Sequence, residues 1–262
     1  NHIYQEKNSL EKLKPLSEEI VADLMQVDEN LVIDVEERNG NLYEHTIMVT
    51  MLAVMVARKL KIEEESLREI ALGCLLHDLG LRYITVPYIN QDMESCPSSE
   101  IFEYKKHTIQ AYSALEGEDW IGTNAKKMIL SHHERRDGSG FPLKQKSREL
   151  ECNILQACDA FDCAISGMEC KRVGIQEALE YLMETADVLF ERKIVKVIVK
   201  LVGRYPVGAK VRLTSGELGI VISQTENSIR PLIGVLDEEE KLTEIRYELN
   251  KNKKISILQV EN

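Results

Sequence analysis

Five of the six histidines, together with a few aspartates, fall into a pattern that metal chemistry would explain. His77-Asp78 and His132-His133 are adjacent pairs, His45 and His107 stand singly, and Asp159 and Asp162 lie three residues apart. Imidazole nitrogens and carboxylate oxygens without thiolates suit iron, manganese, zinc or nickel. His45, His77, Asp78, His107, His132, His133 and Asp159 together exceed the three or four protein ligands of a single zinc site. They suit two divalent ions sharing a carboxylate, with positions left open to water and substrate. Two ions ~3.5–4 Å apart are a recurring device for phosphoryl chemistry.

Each candidate continues the apolar stripe of a helix. Leu67, Ile70 or Ala71, and Cys74 lead to His77 and Asp78; Ala125, Met128 and Ile129 lead to His132 and His133. His45 shares a face with Val49, Leu52 and Val56, His107 with Ala111 and Ala114, and Leu155 leads to Asp159 and Asp162. Residues three, four and seven apart lie on one side of a helix. Several helices therefore aim an imidazole or carboxylate inward, and buried charge is tolerated only when paired or bound to a metal. A single buried histidine is more commonly hydrogen-bonded than metal-bound; five turned inward together call for a cation. His2 has no comparable context.

Helical periodicity runs over 16–37, opened by Ser17 as a cap, then over 42–60, 64–79, 98–115, 123–133, 151–166, 175–185 and 188–202. Residues 81–97 and 136–146 read as loops, and Asn39-Gly40-Asn41 as a turn. Beyond Tyr205-Pro206-Val207-Gly208 short β-like runs appear at 210–213, 218–222, 232–235 and 255–258, with a turn at Ser215-Gly216. The fold expected is mainly α, a multi-helix bundle with a small C-terminal β appendage. Its divisions are an N-terminal helical segment (1–40), a metal-dependent domain (41–204) and a β-rich region (205–262).

The chain has 262 residues, 44% hydrophobic and 29% charged, which is ordinary globular composition. A net charge of −11 argues against coating DNA or RNA through phosphates, although bound cations would reverse the local field for a small phosphate ligand. The six cysteines form no C-x-x-C pair, no apolar run approaches a membrane span, and no export signal is evident. Cysteines packed as thiols in the cytoplasm are the expectation. The chain begins with Asn, so a preceding sensor domain is conceivable. Lys193, Lys196 and Lys200 read as a solvated helix face.

Leu76-His77-Asp78-Leu79-Gly80 resembles the HD signature of the HD phosphohydrolase superfamily. The run from His132 to Pro142 resembles the longer HHExxDGxGYP signature of HD-GYP domains, with Phe141 in place of tyrosine. Lys105-Lys106-His107 is similar to that family's K-x-H element, and Asp159-Ala160-Phe161-Asp162 to its D-x-Y-D element. The resemblance implies a helical, metal-dependent phosphodiesterase of bacterial second-messenger signalling. It would hydrolyse cyclic di-GMP or a related cyclic dinucleotide to linear dinucleotide or GMP. The seven ligands carry over by position, with Asp78 bridging and catalytic, Asp162 orienting a ligand, and Lys105 acting at the phosphate. Two divalent ions are implied, iron first, with manganese, nickel or zinc as alternatives.

Three departures bear on the substrate. The lysine common three residues after the HD aspartate is Leu81 here, beside Arg82. A glutamate found four residues before the first histidine in members with a third metal is Asn41, which implies two metals. The R-P-Y-[RK] stretch is Met168-Glu169-Cys170-Lys171, leaving Lys171 and Arg172 for the phosphates. Glu134, Asp137, Gly138 and the Gly-Phe-Pro turn would shape a loop that meets ligand or partners, such as diguanylate cyclase-type signalling proteins. A homodimer is also conceivable. The competing expectation is a catalytically weak receptor that binds nucleotide or partner proteins.

Overall fold

The computed structural model describes residues 9–28, 32, 33, 35, 38–203, 205, 207–225, 227 and 229–261. The expected helix end at Glu37, the boundary residues Arg204 and Pro206, and His2 lie outside these residues. The chain divides into two compact units, residues 1–27 with 37–198, and residues 28–36 with 199–262. The segment expected at 1–40 is thus shared between them.

The helices in chain order are α1 (Leu13–Gln26), α2 (Leu42–Lys59), α3 (Glu64–Leu76), α4 (Ser98–Lys105), α5 (His107–Leu115), α6 (Thr123–Ser131), α7 (Leu150–Ser166), α8 (Ile175–Glu184) and α9 (Arg192–Val202). Single 3-10 turns at Leu79–Tyr83 and Met93–Ser95 order part of the expected loop between α3 and α4. From Val49 to Ala57 every residue of α2 except Met51 is buried, and α7 is buried without interruption from Cys152 to Asp159. Helices buried on all sides belong in the centre of a bundle. α2 packs against α3 and α7, and α3 against α6. Leu72 and Leu76 meet Ala111, Leu115, Ala125 and Ile129, which ties α3, α5 and α6 together. Burying each leucine-sized side chain contributes roughly 1.5–3 kcal/mol. The Asn41 side chain opens α2 by accepting from the backbone N–H groups of Tyr43 and Glu44 at 3.0 and 3.3 Å. Gly167, at φ 71°, closes α7 in the left-handed conformation.

Some elements depart from the sequence pattern. α1 begins four residues before Ser17, because Pro15 is tolerated in a first helical turn. Ser17 is therefore interior, buried, and donates to the Lys14 carbonyl at 2.7 Å rather than capping. α1 ends at Gln26. The helix expected over 98–115 is broken at Lys106, where the His107 ring takes the Tyr104 carbonyl at 2.8 Å. The last helix starts at Arg192 rather than 188, after a tight turn that carries Asp187 at φ 72°. Lys193, Lys196 and Lys200 lie on its exposed face, opposite buried Ile194, Val195 and Ile198, as a solvated stripe should.

The second unit carries an antiparallel sheet of β1 (Lys210–Leu213), β2 (Leu218–Ser223), β3 (Leu232–Leu236), β4 (Leu242–Glu248) and β5 (Ile257–Val260), in the order β4-β3-β2-β1-β5. Val211, Leu213, Val221, Ile233 and Leu249 form its core. Gly216 makes the β1–β2 turn at φ 91°. β4 is absent from the sequence reading. It is an edge strand, mostly exposed, and has no buried apolar alternation to betray it. Among the described residues no helix is long and apolar enough to cross a membrane.

Candidate metal centre

The sequence-derived ligands come together at one place in the first unit. His45 lies in the first turn of α2, His77 and Asp78 follow α3, His107 opens α5, His132 and His133 follow α6, and Asp159 is on α7. All seven are at most 6% exposed. Helix ends suit this purpose, since a residue there can turn its ring back onto a carbonyl of its own chain. His77, His107 and His132 each donate from Nδ1 to the carbonyl three residues before, at 2.6, 2.8 and 2.8 Å. A carbonyl only accepts, so Nδ1 carries a proton and Nε2 is the nitrogen turned inward, available to a metal once it is deprotonated. His45 reaches the same state differently. Its Nδ1 donates to Asp162 at 2.7 Å, and Arg38 clasps both oxygens of that carboxylate at 2.6 and 2.7 Å. Asp162 therefore orients His45 from behind.

The inward atoms are spaced as ligands around cations. His45 Nε2 lies 3.3 Å from Asp78 Oδ2 and 3.3 Å from Asp159 Oδ1. His77 Nε2 lies 3.2 and 3.6 Å from the same two oxygens. Across Asp78, Oδ1 is 3.3 Å from His132 Nε2, which is 3.2 Å from His107 Nε2. Ligands held at 2.0–2.2 Å from one ion stand about 2.8–3.1 Å apart along an octahedral edge and about 3.3–3.6 Å apart along a tetrahedral one. Nε2 of His45 and of His77 and both oxygens of Asp78 are buried without a hydrogen-bond partner, a costly arrangement that a bound cation relieves. The residues present therefore fit divalent-metal binding. One group is His45, His77 and Asp78, and another is Asp78, His107, His132 and His133. Cys163 donates its thiol to Asp159 at 3.4 Å, and burial, reinforced by Asp159, pushes its pKa well up, so it packs as a thiol.

Charge is distributed unevenly over the cluster. Burial opposes protonation of His45, but Asp159, Asp162 and Asp78 outweigh it and hold its pKa well above the ordinary histidine value. His77 is raised to about 10, against burial, by Asp78 and Asp159. Burial drives His107 down to about 4, and drives His133 well down with help from His132. At pH 7 the metal-free His45 and His77 thus carry protons that a cation must displace. Metal uptake should release about two protons per chain. Titration calorimetry in buffers of different ionisation enthalpy measures this, and heats independent of buffer would exclude it.

A cavity of about 440 Å³ opens onto His133, Asp159 and Glu169 and is also lined by Tyr104, Arg135, Phe141, Lys171, Asp92 and Glu177. The Phe141 ring stacks on His133, with centroids 4.5 Å apart. Of the expected substrate contacts, Lys171 lines this cavity and the others do not. Lys105 neighbours inward-facing Tyr104 on α4 and so points away. Its Nζ lies 5.1 Å from the Phe141 centroid, in a separate groove with Phe102, Ile109 and Pro142. Arg172 is exposed and donates to Asn39 at 3.2 Å, and Gly138, at φ 87°, makes a turn in the loop. Leu81, at the position of the usual lysine, is packed with Met93, Tyr104, Cys163 and Met168.

The loop after His133 is built around Glu134, as the signature suggested. Its buried carboxylate accepts the backbone N–H groups of Leu143, Lys144 and Gln145 at 2.6, 3.0 and 2.9 Å. Removing it leaves three donors unanswered. Glu134→Ala should destabilise the protein by about 3 kcal/mol, read as a fall in Tm together with faster amide exchange at 143–145. Unchanged exchange there would refute the anchoring role.

Sequence reasoning gave no role to Arg38, Arg135 or Glu169. Arg38 lies outside the expected helices, between 16–37 and 42–60. Arg135 stood within the long signature, where adjacent charges gave no clue to direction; its guanidinium lies over the Phe190 ring. Glu169 stood in the stretch that departs from R-P-Y-[RK], and that departure was the signal. It is buried with its Oε2 3.1 Å from His133 Nε2, and burial, with the charge of Asp78, pushes its pKa up to about 7. Asn41 is occupied as the cap of α2.

The family model described as "HD domain" matches residues 10–194. A cyclic di-GMP phosphodiesterase of Pseudomonas aeruginosa, PA4108, is 32% identical over 190 residues, covering 71% of this chain and 45% of that protein. The response regulator RpfG of Xanthomonas campestris, also named a cyclic di-GMP phosphodiesterase, is 27% identical over 208 residues, 75% of this chain and 54% of that protein. The chain spans about half the length of these curated relatives. Among solved structures, Bd1817, an HDG"Y"P protein from Bdellovibrio bacteriovorus, shares the fold with a TM-score of 0.62 at 20% identity, over 73% of this chain and 62% of that one. The matched segment holds the whole cluster from His45 to Asp159, and on that match the chain belongs to the HD domain family.

Proposed function

We propose that the chain is a metal-dependent phosphodiesterase that hydrolyses cyclic di-GMP to linear dinucleotide or GMP. The observation that carries this reading is the buried, unpartnered set of imidazole and carboxylate atoms beside a cavity of about 440 Å³, within the range of small-molecule sites. His45, His77 and Asp159 would hold one divalent ion and His107, His132 and His133 the other, with Asp78 between them; iron is the first candidate. When bound, such a pair supplies Lewis-acid stabilisation of phosphoryl charge and a nucleophile at neutral pH. Asp162 and Arg38 fix the His45 ring, and Phe141 covers that of His133. Arg135 and Lys171 line the cavity as cations for the diester phosphates. Asp92 and Glu177 offer carboxylates that accept from guanine N–H groups. Lys105, against the outer side of Phe141, has no part in this reading.

The relatives named as cyclic di-GMP phosphodiesterases support the substrate class. Incubating iron- or manganese-loaded protein with cyclic di-GMP and resolving products by chromatography tests it. Linear dinucleotide or GMP is expected; intact substrate with both metals would overturn it. Buried Leu81 in place of a cation favours a second reading, a receptor that turns over poorly. Tight cyclic di-GMP binding without product would select that one.

A further inference from the structure

We propose that Glu169 is itself a metal ligand, and that with His133 and Asp159 it forms a further divalent-cation position on the cavity side of the centre. This rests on the metal-centre reading above and adds to it.

The loop after α7 is built to send this side chain inward. Gly167 ends the helix, and two residues later Glu169 itself adopts φ 59°, a left-handed conformation that L side chains other than Asn and Asp rarely enter. The flanking backbone is pinned on both sides. Asn90 donates to the Gly167 carbonyl at 2.6 Å, and Val173 donates to that of Ala164 at 2.8 Å. The Asn90 side chain accepts from Arg172 N at 3.0 Å. An unusual backbone conformation held from two directions points to a constraint on what it presents.

What it presents is a carboxylate, 4% exposed, placed where two other buried carboxylates already stand. Oε1 has no hydrogen-bond partner. Oε2 lies 3.1 Å from His133 Nε2, the separation of adjacent ligands around one ion, and Oε1 lies 3.8 Å from His107 Nε2. Asp159 divides its oxygens suitably. Oδ1 faces His45 and His77, while Oδ2 lies on the His133 side, 4.0 Å from its Nδ1. One atom each from His133, Asp159 and Glu169 lie within 4.8 Å of one another. Among the described residues Glu169 faces histidines and no arginine or lysine, so a cation is the neutralising partner the geometry offers. The donors, one imidazole and two carboxylates, suit manganese, iron or zinc. Filling this position draws His133 to it and leaves Asp78, His107 and His132 for the second ion. All three residues line the cavity, so the added ion would face incoming phosphate.

The test is metal stoichiometry on the full chain saturated with manganese, for wild type, Glu169→Gln and Glu169→Asp, with circular dichroism to verify folding. Wild type is expected to hold about one equivalent more than Glu169→Gln. Glu169→Asp, its carboxylate drawn back by one methylene, should bind that equivalent at least tenfold more weakly. Anomalous diffraction from manganese-loaded wild-type crystals should show a peak bonded to the Glu169 carboxylate. Equal manganese in wild type and Glu169→Gln, or no anomalous peak at Glu169, overturns the proposal. Two equivalents in both proteins would do so while leaving the two-ion reading standing. Wild type without bound manganese or iron would overturn both.

Discussion

Asp78→Asn is expected to lower the proposed hydrolysis by on the order of 10³-fold and to leave the chain with at most half of the metal that the wild type binds. Asp78 faces both halves of the cluster at the spacing of adjacent ligands. Oδ2 stands 3.3 Å from His45 and 3.2 Å from His77, and Oδ1 stands 3.3 Å from His132. An amide preserves the shape but turns one of those oxygens into a donor that cannot ligate. The four surrounding imidazoles are aimed at the centre by bonds to other partners, three to carbonyls and one to Asp162, so they cannot re-aim to compensate. Elemental analysis and product formation on the same sample give the readout. Full metal content in Asp78→Asn would remove the bridging role.

The second large effect is expected from Gly80→Ala. Its Cβ would stand 1.9 Å from the carbonyl oxygen of His107 and 2.6 Å from the carbonyl carbon. Those are backbone atoms at the break between α4 and α5, and they can yield only by carrying His107 out of the cluster. Overpacking against backbone costs about 3 kcal/mol, a fall in Tm of roughly 5–10 °C for a chain of this size. Metal affinity should drop as well, because His107 moves with its main chain. Wild-type Tm and metal content in this variant would show that the two segments tolerate separation. The glycine of the Leu76–Gly80 signature thus has a packing reason. It lets the turn after Asp78 touch the residue that opens α5.

That the candidate ligands lie together was legible from local pattern. His45, His77, Asp78, His132, His133 and Asp159 each extend an apolar stripe at helical spacing, and the period of a helix fixes direction without reference to the rest of the chain. Core helices α2, α3, α6 and α7 were legible for the same reason. His107 was found by its stripe, although the helix drawn through it was wrong. A hydrogen bond from its ring to the Tyr104 carbonyl breaks that helix, and a ring-to-backbone bond leaves no trace in periodicity. Edge strand β4 was missed because it buries too little to alternate.

Tertiary structure decided the remainder. Arg38 and Asp162 are 124 residues apart in sequence, and only the chain's path brings them together behind His45. Lys105 and Lys171 looked equivalent as phosphate cations, yet one faces a separate groove and the other the cavity, because the direction of each depends on where its backbone turns. Glu169 read as a missing arginine-proline element rather than as a carboxylate aimed at His133, since its direction is set by a left-handed residue in a loop pinned to Asn90 and Ala164. Sequence by itself determined which side chains of regular helices point inward, because helical geometry is local. Whatever reaches the centre from loops was decided by long-range contacts that no local repeat encodes.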